Sequence, residues 1–189
     1  MNSAEHTIAI LSTISSISYA NLINVYFLTW FLLPALSHII KPLPVLNKAI
    51  NTYNDEEWRL SLLCYCFGDF LLSFSEGQDI PLMIGMSAFI CGHMIYLRRD
   101  KYFITNYLLY FSLVLVATTG LDIGTRALLS TYFPVLIRCL TLAQQQDRDR
   151  VLGWMLFLAS DVLLAHSMIS GTNYGKVPLF MYWLSIDLL

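Results

Sequence analysis

The sequence predicts an all-α fold: a polytopic transmembrane helical bundle of about eight spans, both termini cytoplasmic, forming one integral membrane domain over residues 1–189. Three observations carry that expectation. The 189 residues are 57% hydrophobic and 13% charged, with a mean hydropathy of +0.60, too apolar for a soluble core whose surface must be wetted. Apolar runs of about 20 residues alternate with short polar breaks, which leaves no room for an extramembrane domain. Two of those runs, 58–76 and 150–169, each carry one acid, Asp69 and Asp161. These lie about 15 and 16 Å along the helix from a charged start, near the middle of a bilayer core of roughly 30 Å.

Residues 1–14 read as an interfacial lead-in to a first span over 16–40, kinked at Pro34. No Lys or Arg precedes Lys41, so the start lacks the basic region of a cleaved signal and the first run is expected to stay as a span. Lys41-Pro42-Leu43-Pro44 suits the opening of a second, short helix reaching about residue 53. Asn47 and Lys48 make it a poor span by hydropathy. The Asp69 helix follows, and on it Ser61, Tyr65, Asp69 and Ser73 recur every four residues as a single polar stripe that must face protein or water.

A fourth helix is expected over 81–97, with Gly85, Phe89, Gly92, His93 and Tyr96 near one side, its small residues permitting close helix contact. Arg98-Arg99-Asp100-Lys101 makes a basic turn before a fifth span over 102–119. The sixth, 124–144, carries Pro134 and an intramembrane Arg138. The Asp161 helix presents Gly153, Ser160 and Ser167 every seven residues as a small-residue seam beside the acid. A turn over 171–175 leads to a short terminal span, 177–189. Counting eight spans puts Arg59, Arg98, Arg99, Lys101, Arg148 and Arg150 on one side, cytoplasmic by the positive-inside rule, and Lys41, Arg126 and Lys176 on the other. Omitting the weak second helix would scatter those charges.

Several function classes are excluded. A net charge of −2 without a basic patch among aromatics gives no nucleic-acid surface. Cys64, Cys66, Cys91 and Cys139 fall inside spans and read as reduced packing residues; with His93 they lack ligand-type spacing, so no metal is expected. The aromatic residues form an interfacial belt and packing surfaces, and mark no cofactor box.

Four segments stand in the order and spacing of a known family: Lys41-Pro42-Leu43-Pro44; Gly68-Asp69 followed by Leu71 and Leu72; Phe89 with His93 and Tyr96; and Ser160-Asp161 with Leu164 and Ala165. Together they span almost the whole chain, which resembles the YhhN family, the lysoplasmalogenases. The resemblance implies an eight-helix membrane hydrolase that cleaves the vinyl ether bond of lysoplasmalogens, releasing a fatty aldehyde and glycerophosphoethanolamine or glycerophosphocholine. It also implies that Asp69 and Asp161 are the essential pair. The chain departs from the family in carrying Arg138 after Pro134-Val135, where a tyrosine is usual, and Tyr182-Trp183-Leu184-Ser185, where a tyrosine pair and a glutamine are usual.

The residue types suit that chemistry. Vinyl ether hydrolysis begins with protonation of the outer alkene carbon, and the resulting oxocarbenium ion is captured by water. Two carboxyls in a dry site, sharing one proton, can supply the acid and steady the cation. Lys41, Tyr65, His93, Tyr96, Arg138 and Ser160 are the expected substrate-binding residues, with no cofactor, and the partners are a lysophospholipid and the bilayer. Each also has a structural reading. A lone membrane acid can simply bond a neighbouring helix, and His93 reads first as an interhelical hydrogen-bonder. Arg138 needs an anion, whether phosphate or one of the acids, or else snorkels to the surface. Lys41 reads first as an interfacial anchor, although Lys48, seven residues on, would make a phosphate clamp with it. An intramembrane aspartyl protease fits less well, because Cys66 replaces the glycine of Gly-x-Gly-Asp and Ser160 the tyrosine of Tyr-Asp. A proton-coupled transporter is the non-enzymatic alternative. The expected location is a bacterial inner membrane or a eukaryotic endomembrane.

Overall fold

The computed structural model describes residues 40–52, 55–74, 79–98, 100, 103–145 and 148–189. Over these residues the chain is all-helical and contains no strand: α1 is Leu43–Asn51, α2 Glu56–Leu72, α3 Asp79–Tyr96, α4 Phe103–Ala117, α5 Ile123–Ala143, α6 Arg148–Ser170 and α7 Val177–Leu188. The span expected over 16–40, with its kink at Pro34, lies outside the described residues except for Ile40. The other seven expected helices are all present.

Local chemistry explains the boundaries. Asp55 caps α2, its carboxylate accepting the Trp58 N–H at 3.0 Å, and Glu56 and Glu57 add negative charge to the first turn where the helix dipole favours it. Asp122 caps α5 in the same way, accepting the Thr125 N–H at 3.0 Å. Hydrogen bonds from Thr125 hold the Asp122 carboxyl below the usual carboxylate range. Prolines open α1 and α7, where a missing N–H costs nothing. Gly120, at φ 111°, makes the tight turn between α4 and α5, a conformation closed to most side chains.

The helices form a ring. α1 contacts α2, α2 contacts α3, α3 contacts α5, α5 contacts α6, α6 contacts α7, and α7 returns to α1, while α4 packs on α5. Glycines set the closest approach, between α2 and α3. A Cβ on Gly68 would stand 2.6 Å from the Phe89 ring and 3.0 Å from the Gly85 carbonyl oxygen. Gly153 does the same for α6 against α7, where a Cβ would meet Leu189 at 2.9 Å.

Polarity is arranged inside out. The interior holds Ser61, Asp69, His93, Ser130, Arg138, Ser160 and Ser185 among aromatic rings, while Phe67, Ile104, Leu109, Leu113 and Val116 stand exposed on the outside. Water would penalise such a surface, and lipid would not. Two helical stretches, Ile123–Ala143 and Arg148–Ser167, are long and apolar enough to cross a membrane, and Ile80–Tyr96, Asn106–Ala117 and Val177–Leu188 are shorter apolar helices. The second expected helix is a half-length element: the nine residues of α1 rise about 13.5 Å, less than half of a hydrocarbon core of roughly 30 Å. Its last turn meets the last turn of α7, where the Lys48 ammonium donates to the Asp187 carbonyl at 2.9 Å. Its first turn therefore ends inside the bundle.

Candidate functional site

The polar stripe of α2 faces inward, and most of its hydroxyl chemistry is spent locally. Ser61 donates to the Glu57 carbonyl at 2.9 Å and Ser73 to the Asp69 carbonyl at 2.8 Å, the bonds serine makes within its own helix. Tyr65 and Asp69 remain. Asp69 is 2% exposed, and its Oδ1 lies 3.8 Å from the Lys41 ammonium, which is 25% exposed. Its Oδ2 has no hydrogen-bond partner among the described residues, and the Tyr182 hydroxyl of α7 lies close enough to the carboxylate to interact.

Asp161 comes from α6 on the far side of this group. The Tyr132 hydroxyl of α5 donates a hydrogen bond to its Oδ2. Asp161 lies within reach of the Asp69 charge, and Lys41 within reach of both acids. Four helices, α2, α5, α6 and α7, thus contribute two carboxylates and two phenols to one site, with the ammonium preceding α1 at its edge. A buried carboxylate needs such partners, because an isolated charge at this depth would cost several kcal/mol or more.

The structure separates the expected binding residues. Tyr65 joins the site: its ring stacks on Phe89 at 5.4 Å and meets the His93 ring edge-on at 5.0 Å, and its hydroxyl has no partner among the described residues. His93 is fully buried among Tyr65, Tyr132, Trp154 and Phe157, and among the described residues neither ring nitrogen has a hydrogen-bond partner. Tyr96 sits a layer away, against Trp58 at 5.6 Å and Trp154 at 5.1 Å near the first turns of α2 and α6. Ser160 is engaged elsewhere, its hydroxyl donating to the Pro178 carbonyl at 2.8 Å and fastening α6 to the start of α7.

Arg138 is not brought to the acids. Its guanidinium grips Asp100 through two bonds, Nη2 to Oδ1 at 2.8 Å and Nε to Oδ2, with Nη1 on Thr141 at 3.1 Å. The anion it requires comes from a residue that reads, in sequence, as part of a basic turn. Lys41 changes place too. Read as an interfacial anchor, it pairs with Asp69 at 3.8 Å. The clamp with Lys48 does not form, since Lys48 is held by Asp187 at the other end of α1.

Tyr132 and Tyr182 are the site residues that sequence reasoning missed as partners of the acids. The available signal was a tyrosine within an apolar helix, whose hydroxyl needs a partner once buried. The four cysteines are free thiols, and no group of three or more His, Cys, Asp or Glu among the described residues is placed to hold a metal ion. Chemically, the arrangement is suited to moving a proton. It offers two carboxyls coupled through space, a phenol bonded to one and a cation beside the other. No protein-family model, curated protein or solved structure matches the chain.

Proposed function

We propose that the chain is an eight-span integral membrane lipid hydrolase of the lysoplasmalogenase type, cleaving a vinyl ether by acid catalysis from the Asp69–Asp161 pair. The observation that supports this reading most is the convergence of two acids, from α2 and α6, on one polar group with Tyr132, Tyr182 and Lys41. One carboxyl donates its proton to the outer alkene carbon, leaving an oxocarbenium ion at the carbon that bears the ether oxygen. The second, as carboxylate, steadies the cation and orients the water that adds to it. The added water loses a proton to the carboxylate, and the hemiacetal collapses to fatty aldehyde and glycerophospholipid alcohol. Overall, one water is consumed and the C–O bond to the alkenyl carbon is broken. The chain's resemblance to lysoplasmalogenases at Gly68-Asp69 and Ser160-Asp161 supports the same pairing.

The decisive experiment incubates purified protein with a lysoplasmalogen and detects free fatty aldehyde by mass spectrometry. Aldehyde is expected from the wild type and lost in Asp69→Asn and Asp161→Asn proteins that remain folded in detergent. Wild-type rates in either variant would end the assignment.

The half-length α1 favours one second reading. A short helix whose first turn ends beside buried acids is a common way for transporters to build a midplane site. Proton-coupled uptake into sealed vesicles without chemical change in the solute, and no aldehyde from any lysoplasmalogen, would establish that reading.

A further inference from the structure

A cleft of about 380 Å³ lies between α1 and α2, on the outer side of the Lys41–Asp69 pair. Leu43 and Leu46 form one wall, and Leu63, Phe67 and Phe70 the other. Its boundary includes Pro42, the residue after Lys41, and Cys66, one helical turn from Asp69 and close enough to feel its charge. Phe67, 55% exposed, and the exposed Leu63 and Phe70 stand along the side that opens outward.

We propose that this cleft is the hydrocarbon subsite of the enzyme, holding the alkyl chain of a lysophospholipid that enters sideways from the bilayer; the proposal rests on the lipid-hydrolase reading above. Four features favour a hydrocarbon chain. The walls are aliphatic and aromatic, which suits methylenes and offers a head group nothing to bond. The open side continues into the exposed apolar surface of α2, so a chain leaving lipid need not cross water. One end is bounded by Pro42 and Phe70, the chain neighbours of Lys41 and Asp69, whose ammonium and carboxylate pair at 3.8 Å, so a cation suited to the anionic part of a lysophospholipid stands next to the cleft. Because Pro42 and Phe70 bound one end, a chain seated in the cleft would have its head beside the residues that carry the Lys41–Asp69 pair.

The test separates seating from turnover. Protein in lipid nanodiscs is irradiated with a saturated acyl lysophosphatidylcholine carrying a mid-chain diazirine, a probe with no vinyl ether, and the labelled peptides are mapped. Labelling is expected over 43–46 and 63–70, well above the exposed Leu109 and Leu113 of α4. Leu46→Trp, which fills the cleft, should reduce the cleft label about tenfold, roughly the worth of two methylenes losing their place. Cys66→Phe fills it from the opposite wall and serves should Leu46→Trp fail to fold. In turnover, both variants should raise KM for a long-chain lysoplasmalogen about tenfold and raise the KM of a short-chain analogue far less. Label spread evenly over the outer surface, label on residues 1–39 in place of the cleft, or an unchanged label in the filled variants would overturn the proposal. Aldehyde release with no cleft label would sink the subsite alone, and cleft label with no aldehyde from any lysoplasmalogen would sink the hydrolase alone.

Discussion

The Tyr132 hydroxyl donates to the Asp161 carboxylate across the gap between α5 and α6, joining residues 29 positions apart in the chain. A phenol in that position stabilises the charged carboxylate and holds one of its oxygens in place. Asp69 has a different companion, the Lys41 ammonium at 3.8 Å. The two acids are therefore held by unlike partners, a neutral donor and a cation, and substitutions at those partners should separate their roles.

Tyr132→Phe removes the donor and keeps the ring that packs on Phe133 and His93. A hydrogen bond to a charged group contributes about 1.5–3 kcal/mol, so kcat for aldehyde release should fall about 10- to 100-fold. KM should stay near wild type, because the phenol acts on Asp161 and not on the alkyl chain. Steady-state kinetics on the purified variant check this, and an unchanged kcat would remove Tyr132 from the catalytic group.

Lys41→Met leaves the Asp69 carboxylate buried without its cation. The ammonium is partly exposed, so the loss is smaller than for a fully buried pair, about 1–3 kcal/mol, visible as a lower Tm in detergent. Lys41→Arg keeps the charge and should recover most of that Tm. If Met and Arg behave alike, the ammonium is an anchor at the membrane surface and not a partner of the acid.

Much of this architecture is legible in the sequence, and the parts that are not have physical reasons. Helix positions can be read because apolar runs are bounded by Asp55, Asp122, Pro42 and the turn glycines, each acting within a few residues of itself. The acid pair can be read because depth along a helix is simple arithmetic. Partners are harder, since nothing near Asp161 in sequence announces Tyr132, and nothing in Arg98-Arg99-Asp100-Lys101 marks Asp100 as the partner of Arg138. Sequence also hides the partner of Lys41: a lysine beside two prolines suggests an interface, and nothing local announces Asp69, 28 residues on.

Gly68→Ala tests the α2–α3 contact. The added methyl meets the Phe89 ring at 2.6 Å and the Gly85 carbonyl oxygen at 3.0 Å; a ring can turn aside, but helix backbone cannot without separating α2 from α3. Overpacking of this kind costs about 1–3 kcal/mol. Because Asp69 is the next residue, activity should fall along with Tm. Gly171→Ala, at a turn glycine with open space around it, should cost only its backbone strain at φ 70° and leave activity intact.

Arg138 and Asp100 form a buried ion pair away from the two acids, with side-chain exposures of 8% and 3%. Removing one partner takes away the bidentate pairing that offsets the burial of the other charge. Arg138→Met or Asp100→Leu alone should therefore destabilise by about 3–5 kcal/mol. The double variant strands neither charge and should recover much of that loss, giving a coupling energy of about 1.5 kcal/mol or more in a double-mutant cycle. Measured by thermal or denaturant unfolding in detergent, with aldehyde release per folded molecule alongside, the cycle separates two readings of Arg138. As a structural lock, it leaves kcat and KM of the folded double variant near wild type. As the phosphate-binding residue suggested by the sequence, it raises KM in every variant lacking it, whatever Asp100 has become.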